Sequence, residues 1–138
     1  MIHSILLILL TLLPLVSVAP VAKFTITGTV TCERFVHFCF YVKLREEDRI
    51  KDDQIGKDGI HCTPLHDNQF IMTGFLRGDE VFSDKYGIWL SNSHNCTENG
   101  QKLWFRTITK YWNITEPNPT YHFNLKIDDV GQPVDNYE

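Results

Sequence analysis

From Lys23 to Thr31 the chain reads KFTITGTVT, with Phe24, Ile26, Gly28 and Val30 on one side and threonines on the other. Alternation with a period of two marks a strand that buries one face. Phe38, Phe40, Val42 and Leu44 form the next such set, with Tyr41, Lys43 and Arg45 opposite. The charged stretch from Arg45 to Gln54 reads as a solvated loop, and Gly56-Lys57-Asp58-Gly59 as a turn. A further turn at His66-Asp67-Asn68 leads into a short strand from Gln69 to Thr73 that ends at Gly74. Ile88 and Leu90, with Trp89 between them, belong to a strand running toward His94, and Asn99-Gly100 is a hairpin signal. Leu103, Phe105 and Thr107 alternate with Trp104, Arg106 and Ile108, and Tyr121, Phe123, Leu125 and Ile127 with His122, Asn124 and Lys126. Helical spacing is scarce; one helical turn fits between Gly78 and Tyr86. About seven short strands separated by turns predict an all-β antiparallel sandwich, whose two sheets hide one face each against the other. Leu44 and Phe123 are expected in its core.

The N-terminus precedes this pattern with an apolar run, Ile5 to Leu13, followed by Pro14 and the small residues Ser17, Ala19 and Ala22. This is the order of a secretory signal peptide, expected over residues 1–19 with cleavage between 17 and 22. A membrane anchor is the competing reading, but Pro14 interrupts a run that is already short of the roughly 20 residues a spanning helix needs. The sandwich domain is then expected over residues 23–128, and residues 129–138 as an acidic tail. Asn95-Cys96-Thr97 and Asn113-Ile114-Thr115 fit the N-glycan acceptor pattern, which gains weight behind a signal peptide. Localisation is expected to be secreted and extracellular.

Composition narrows the function. With 17 acidic and 13 basic residues the net charge is -4, which argues against a nucleic-acid partner. No Gly-x-Ser-x-Gly, His-Glu-x-x-His or Gly-rich phosphate loop is present, so an enzyme is not expected, nor a cofactor. The acidic residues Glu46, Glu47, Asp48, Asp52 and Asp53 lack the ligand spacing of a calcium loop and read as solvated. Cys32, Cys39, Cys62 and Cys96 allow three pairings, and in an exported chain disulfides are the better account of them. The reading leans to Cys32–Cys39 and Cys62–Cys96, although alternation sets Cys32 and Cys39 on different faces. The alternative is a metal site from His61, Cys62, His94 and Cys96, which has zinc-type ligands but places adjacent His61 and Cys62 on opposite strand faces.

An ordered set of short motifs runs through the domain. Thr27-Gly28-Thr29-Val30-Thr31-Cys32 opens it, Val42-Lys43-Leu44 follows, and Asp52-Asp53 lies in the acidic loop. Asp67-Asn68-Gln69-Phe70, His94-Asn95-Cys96 and Lys102-Leu103-Trp104-Phe105 come next, with Tyr111 beyond. From Phe24 to Ile127 this order resembles the nematode transthyretin-like family of small secreted proteins. The resemblance implies a transthyretin-type β-sandwich and an extracellular location, and it supplies no catalytic motif. The chain departs from the family by lacking a second cysteine after Cys96 and by carrying Cys39 and Cys62. A hydrolase on the same scaffold resembles a site finished by a C-terminal Tyr-Arg-Gly-Ser, whereas this chain ends Asp135-Asn136-Tyr137-Glu138.

Where family members tend to have a polar turn, this chain has Phe35 and Val36. These two residues, with Trp104 and Trp112 off the inward register, are the candidate partner contacts, because exposed aromatic anchors suit a binding surface. The expected function is a secreted, non-enzymatic binding module acting on an extracellular protein or a cell surface. The alternative is a carrier of a small apolar ligand in an oligomer channel, by analogy with transthyretin.

Overall fold

The computed structural model describes residues 21–34, 37–77 and 83–137. They form β1 (Val21–Thr31), β2 (Phe38–Glu46), β3 (Asp53–Lys57), β4 (His61–Thr63), β5 (Asp67–Arg77), β6 (Lys85–His94), β7 (Leu103–Arg106), β8 (Lys110–Asn113), β9 (Thr120–Lys126) and β10 (Gln132–Pro133). One sheet has three strands in the order β5-β1-β9; the other has seven, β10-β7-β6-β2-β3, with β4 added to β2 and β8 to β6. The all-β sandwich expected from the alternation is therefore the fold. Pairing is antiparallel throughout except between β1 and β9, which run parallel.

The buried faces follow the sequence pattern. Phe24, Ile26 and Val30 of β1 meet Phe38, Phe40, Val42 and Leu44 of β2, with Ile88 and Leu90 of β6 and Phe123 and Leu125 of β9 completing the core. Burying one such side chain stabilises the fold by about 1.5–3 kcal/mol. Lys43, between two core residues, faces out and is half-buried.

The structure departs from the sequence reading in the extent of its strands, in the facing of one tryptophan and in the disulfide pairing. The charged loop and the Gly56 turn contain β3, which pairs with the end of β2. Gly74 does not end β5, which runs on to Arg77. A Cβ at Gly74 would lie 3.0 Å from Ile55 Cδ1, so the glycine makes room for β3 to approach β5. Residues after Asp128, expected as a tail, turn through Gly131 (φ 124°) and return as β10 beside β7. A Cβ at Gly131 would meet the Trp104 carbonyl oxygen at 2.5 Å. Trp112, expected on the surface, faces inward; its ring stands edge-on to Phe24 at 5.7 Å and to Tyr121 at 6.0 Å.

All four cysteines are in disulfides, but the pairing is Cys32–Cys96 and Cys39–Cys62, not the one the sequence reading leaned to. The cause is the facing of each residue. Cys32 continues the inward set of β1 and meets Cys96, just past β6, with both fully buried. Cys39 belongs to the outward set of β2, where its direct neighbour across the strands is Cys62 of β4.

Candidate binding face

The outer face of the seven-stranded sheet brings aromatic and charged side chains into contact. Strand register sets it out in rows. Tyr41, Ser93 and Trp104 lie side by side on β2, β6 and β7. The next row is Lys57, Lys43, Ser91 and Arg106 across β3, β2, β6 and β7. Below it Arg45 faces Trp89.

Trp89 points outward, yet it is only 5% exposed. The Arg106 guanidinium lies 4.2 Å from its ring centre and that of Arg45 lies 5.7 Å away. Such contacts add about 0.5–2 kcal/mol when partly desolvated. The Trp104 indole N–H donates to the Ser91 hydroxyl at 2.7 Å, which ties the ring to β6. Lys43, Arg45, Trp89, Ser91, Trp104 and Val134 line a groove of about 260 Å³. Val134 reaches it because β10 folds back. The Nε1 of Trp89 and the Nε of Arg45 are buried donors with no protein partner among the described residues.

One end of the face is closed by a carboxylate. Glu47 accepts from the Tyr111 hydroxyl at 2.6 Å and from Arg106 at 2.6 Å. The Tyr111 hydrogen bond, and then those of Arg106, hold its carboxyl below the usual carboxylate range, and the same bond raises the Tyr111 hydroxyl above its usual value. Asp52 stands 3.5 Å from Arg106. The acidic loop is thus engaged with an arginine.

The other residues singled out in the sequence are dispersed. His61 pairs with Asp58 at 2.9 Å and stacks on Phe40, with ring centres 5.3 Å apart. His94 is fully buried; its Nδ1 accepts from the Cys96 amide at 3.2 Å, so its Nε2 donates to the Val130 carbonyl at 2.7 Å. Burial lowers its pKa below the ordinary histidine value. The sulfurs of Cys62 and Cys96 are consumed by different disulfides, so the His61, Cys62, His94, Cys96 set does not assemble. Asn95 is half-buried, and its side-chain oxygen accepts from the Cys39 amide at 2.6 Å. Asn113 is exposed, and its oxygen accepts from the Thr115 amide and hydroxyl. Phe35 and Val36 lie outside the described residues.

Of the two candidate contacts among the described residues, Trp104 is on this face and Trp112 packs against the core. Lys43, Arg45, Trp89 and Ser91 were not singled out in the sequence. Alternation puts Lys43 and Arg45 on an outward face, but only the pairing of β2 with β6, over forty residues apart in the chain, brings them beside Trp89 and Ser91.

A family model described as "Caenorhabditis elegans protein of unknown function (DUF870)" matches residues 27–136. The chain belongs to this family. The match spans nine of the ten strands in full and the second half of β1, from Thr27, and it includes every residue of the groove. It also takes in β10, in accord with the return of the last residues to the sheet. An uncharacterized Caenorhabditis elegans protein, B0416.7, is 25% identical over 105 residues, covering 75% of this chain and 76% of its own. No solved structure matches. The nematode setting agrees with the resemblance drawn from the sequence, while neither description names a transthyretin-like protein. For this DUF870 chain, two disulfides fit an extracellular setting. Among the described residues no helix is long and apolar enough to cross a membrane.

Proposed function

We propose that this chain is a secreted, non-enzymatic binding module that acts at cell surfaces or on an extracellular partner through the outer face of its seven-stranded sheet. The observation that carries the reading is the groove in which Trp104, Trp89, Lys43 and Arg45 converge. Aromatic and arginine side chains are the residues that dominate recognition surfaces. Ser91, the one hydroxyl in the groove lining, accepts the Trp104 indole N–H, a positioning role. The exposed Asn113 and its Thr115 partner support a glycan there, and the apolar run from Ile5 to Leu13 supports export. The order of motifs from Thr27 to Tyr111 supports a transthyretin-like relationship.

The test is expression in a secretory host, with the product then labelled and applied to intact nematode cells. The chain is expected in the medium, shortened by about 20 residues, with an enzymatically removable glycan lost in Asn113→Gln. Saturable cell binding is expected, and Trp104→Ala should weaken it at least about tenfold, or about 1.4 kcal/mol. Native-level binding by Trp104→Ala would remove the groove from the reading. Retention of an unprocessed chain in the membrane would remove secretion.

A further inference from the structure

The three-stranded sheet ends differently on its two sides. On one side β5 lies against β3, where Ile55 fills the place a side chain at Gly74 would take and a Cβ at Gly56 would stand 3.1 Å from the Thr73 carbonyl oxygen. On the other side β9 has β1 as its one strand neighbour among the described residues. The register shows which backbone groups this leaves over. The Thr25 amide donates to the Pro119 carbonyl and the Ile127 amide to the Thr31 carbonyl, so the odd-numbered residues of this segment turn their N–H and C=O toward β1. Successive residues of a strand direct these groups to opposite sides. Those of Thr120, His122, Asn124 and Lys126 therefore point along the open edge, and all four residues are exposed. Natural edges are blunted by proline, charge, bulges or a covering element. From Thr120 to Leu125 this edge has no proline, lysine or acidic residue, and its register with β1 is uninterrupted. An apolar ledge runs beside it: Tyr121, 36% exposed, stands edge-on to Phe123 and to Trp112, and Trp112 and Ile114 are only half-buried.

We propose that β9 is the docking edge for an extended segment of a partner protein, which joins the sheet as a fourth strand and carries apolar side chains at every second position. The exposed row of N–H and C=O groups matches a strand, because an extended chain repeats these groups at the same two-residue interval. The ledge of Tyr121, Trp112 and Ile114 matches apolar side chains on the inner side of that strand, and His122 and Asn124 match polar ones on the outer side. A second copy of this chain suits the edge less well. Over its seven residues the edge presents roughly 230 Å², taking about 3.3 Å per residue and a sandwich about 10 Å thick, whereas two folded domains in stable association bury about 800 Å² each. A flexible segment is not held to a rigid outline and follows the twist of the edge. The edge lies apart from the groove on the seven-stranded sheet, so the two sites stand independently.

The experiment measures fluorescence anisotropy of a short dye-labelled peptide that alternates valine and threonine, titrated with the full secreted protein. A control peptide of the same composition carries its valines in one block. Two further forms are N-methylated, one at every valine and one at every threonine, which strips the N–H donors from one edge of the strand or the other. The alternating peptide is expected to bind at least about tenfold more tightly than the block control. One methylated form should bind like the parent, and the other should lose at least about tenfold. Asn124→Pro removes a donor from the open edge and none from the pairing with β1. It should keep the native unfolding midpoint and weaken peptide binding at least about tenfold. If Asn124→Pro does not fold, the two methylated peptides decide the matter on the unaltered protein. No binding of the alternating peptide, equal binding of the block control, equal behaviour of the two methylated forms, or native affinity in a folded Asn124→Pro protein would each overturn the proposal. So would a dimer of the native protein in sedimentation that Asn124→Pro dissolves, since it would give the edge to a second copy. Peptide binding is read without cells, so its failure leaves the groove reading untouched.

Discussion

The three-stranded and seven-stranded sheets each turn one face outward, and the two faces are built from different side chains. On the first, Thr25, Thr27, Thr29 and Thr31 form the central column. His122 bridges the hydroxyls of Thr27, at 2.9 Å, and Thr29, at 3.3 Å. Ile71 and Phe75 of the flanking β5 stay 66% and 59% exposed. On the second, Trp89 occupies an equally outward position and is almost fully covered. β1 alternates buried apolar residues with outward threonines, whereas β6 is buried on both faces from Tyr86 to His94; the reach of the neighbours differs. A threonine is too short to cover the residue beside it. An arginine or tryptophan lays its apolar stem or ring along the sheet and keeps its polar end in water. Outward position and exposure are therefore separate properties, and a sheet acquires a sculpted surface only where long amphipathic side chains converge.

The contrast is tested most directly by truncating one residue on each face. Trp89→Ala should destabilise the protein by about 3–5 kcal/mol, as for a core aromatic, whereas Ile71→Ala should change stability by less than about 0.5 kcal/mol. Urea unfolding followed by fluorescence gives both values, and similar costs at the two sites would mean that the faces are not built differently.

The next effect concerns the limit of that cover. Cys39–Cys62 lies on the outer face of the seven-stranded sheet with Cys62 exposed, while Cys32–Cys96 is sealed inside. Mild thiol treatment of the native protein should open Cys39–Cys62 alone, as read by mass mapping of the labelled cysteines. Replacing both Cys32 and Cys96 by alanine should cost about 2–5 kcal/mol. Simultaneous reduction of the two bridges would contradict the difference in access.

The smallest effect is one of pH, and it belongs to the interior. The pKa of His94 is lowered in the folded state by burial, so below about pH 6.5 the unfolded chain takes up a proton before the folded one does. Stability from this group is complete above that pH and is lost as pH falls toward the folded pKa, at up to about 1.4 kcal/mol per pH unit. Unfolding midpoints measured between pH 7 and 5 should show this loss on top of that from other groups, and His94→Gln should flatten it. An unchanged slope in the variant would mean that the histidine is not held neutral.

Period-two alternation was sufficient to place the core, since Phe24, Leu44 and Phe123 owe their burial to position within their own strands. It was insufficient wherever burial depends on a distant partner. Gly74 looked like a strand end because the side chain that fills its place, Ile55, comes from another sheet. The pairing of Cys32 with Cys96 spans 64 residues and depends on where β1 and β6 end relative to each other. Trp112 reads as outward because β8 has no visible pattern of its own; its four residues take their facing from the pairing with β6. For the binding face, Trp104 was found from its own facing. Of its neighbours, the pattern marks Lys43 and Arg45 as outward, and nothing in it marks the facing of Trp89 on the separate β6.

The parallel pairing of β1 with β9 has a consequence for the time course of synthesis. Thr27 and His122, partners in that pairing, are 95 residues apart in the chain. At about 5–20 residues per second, the ribosome needs on the order of 5–20 s to make β9 after β1 has been made. Until then β1, whose Phe24 and Ile26 end fully buried, lacks one of its two neighbours. During that interval the nascent chain holds an incomplete sheet with an apolar strand and an open edge, the kind of surface that chaperones engage. Completion of the three-stranded sheet is thus a late event, set by where the last long strand lies in the gene product.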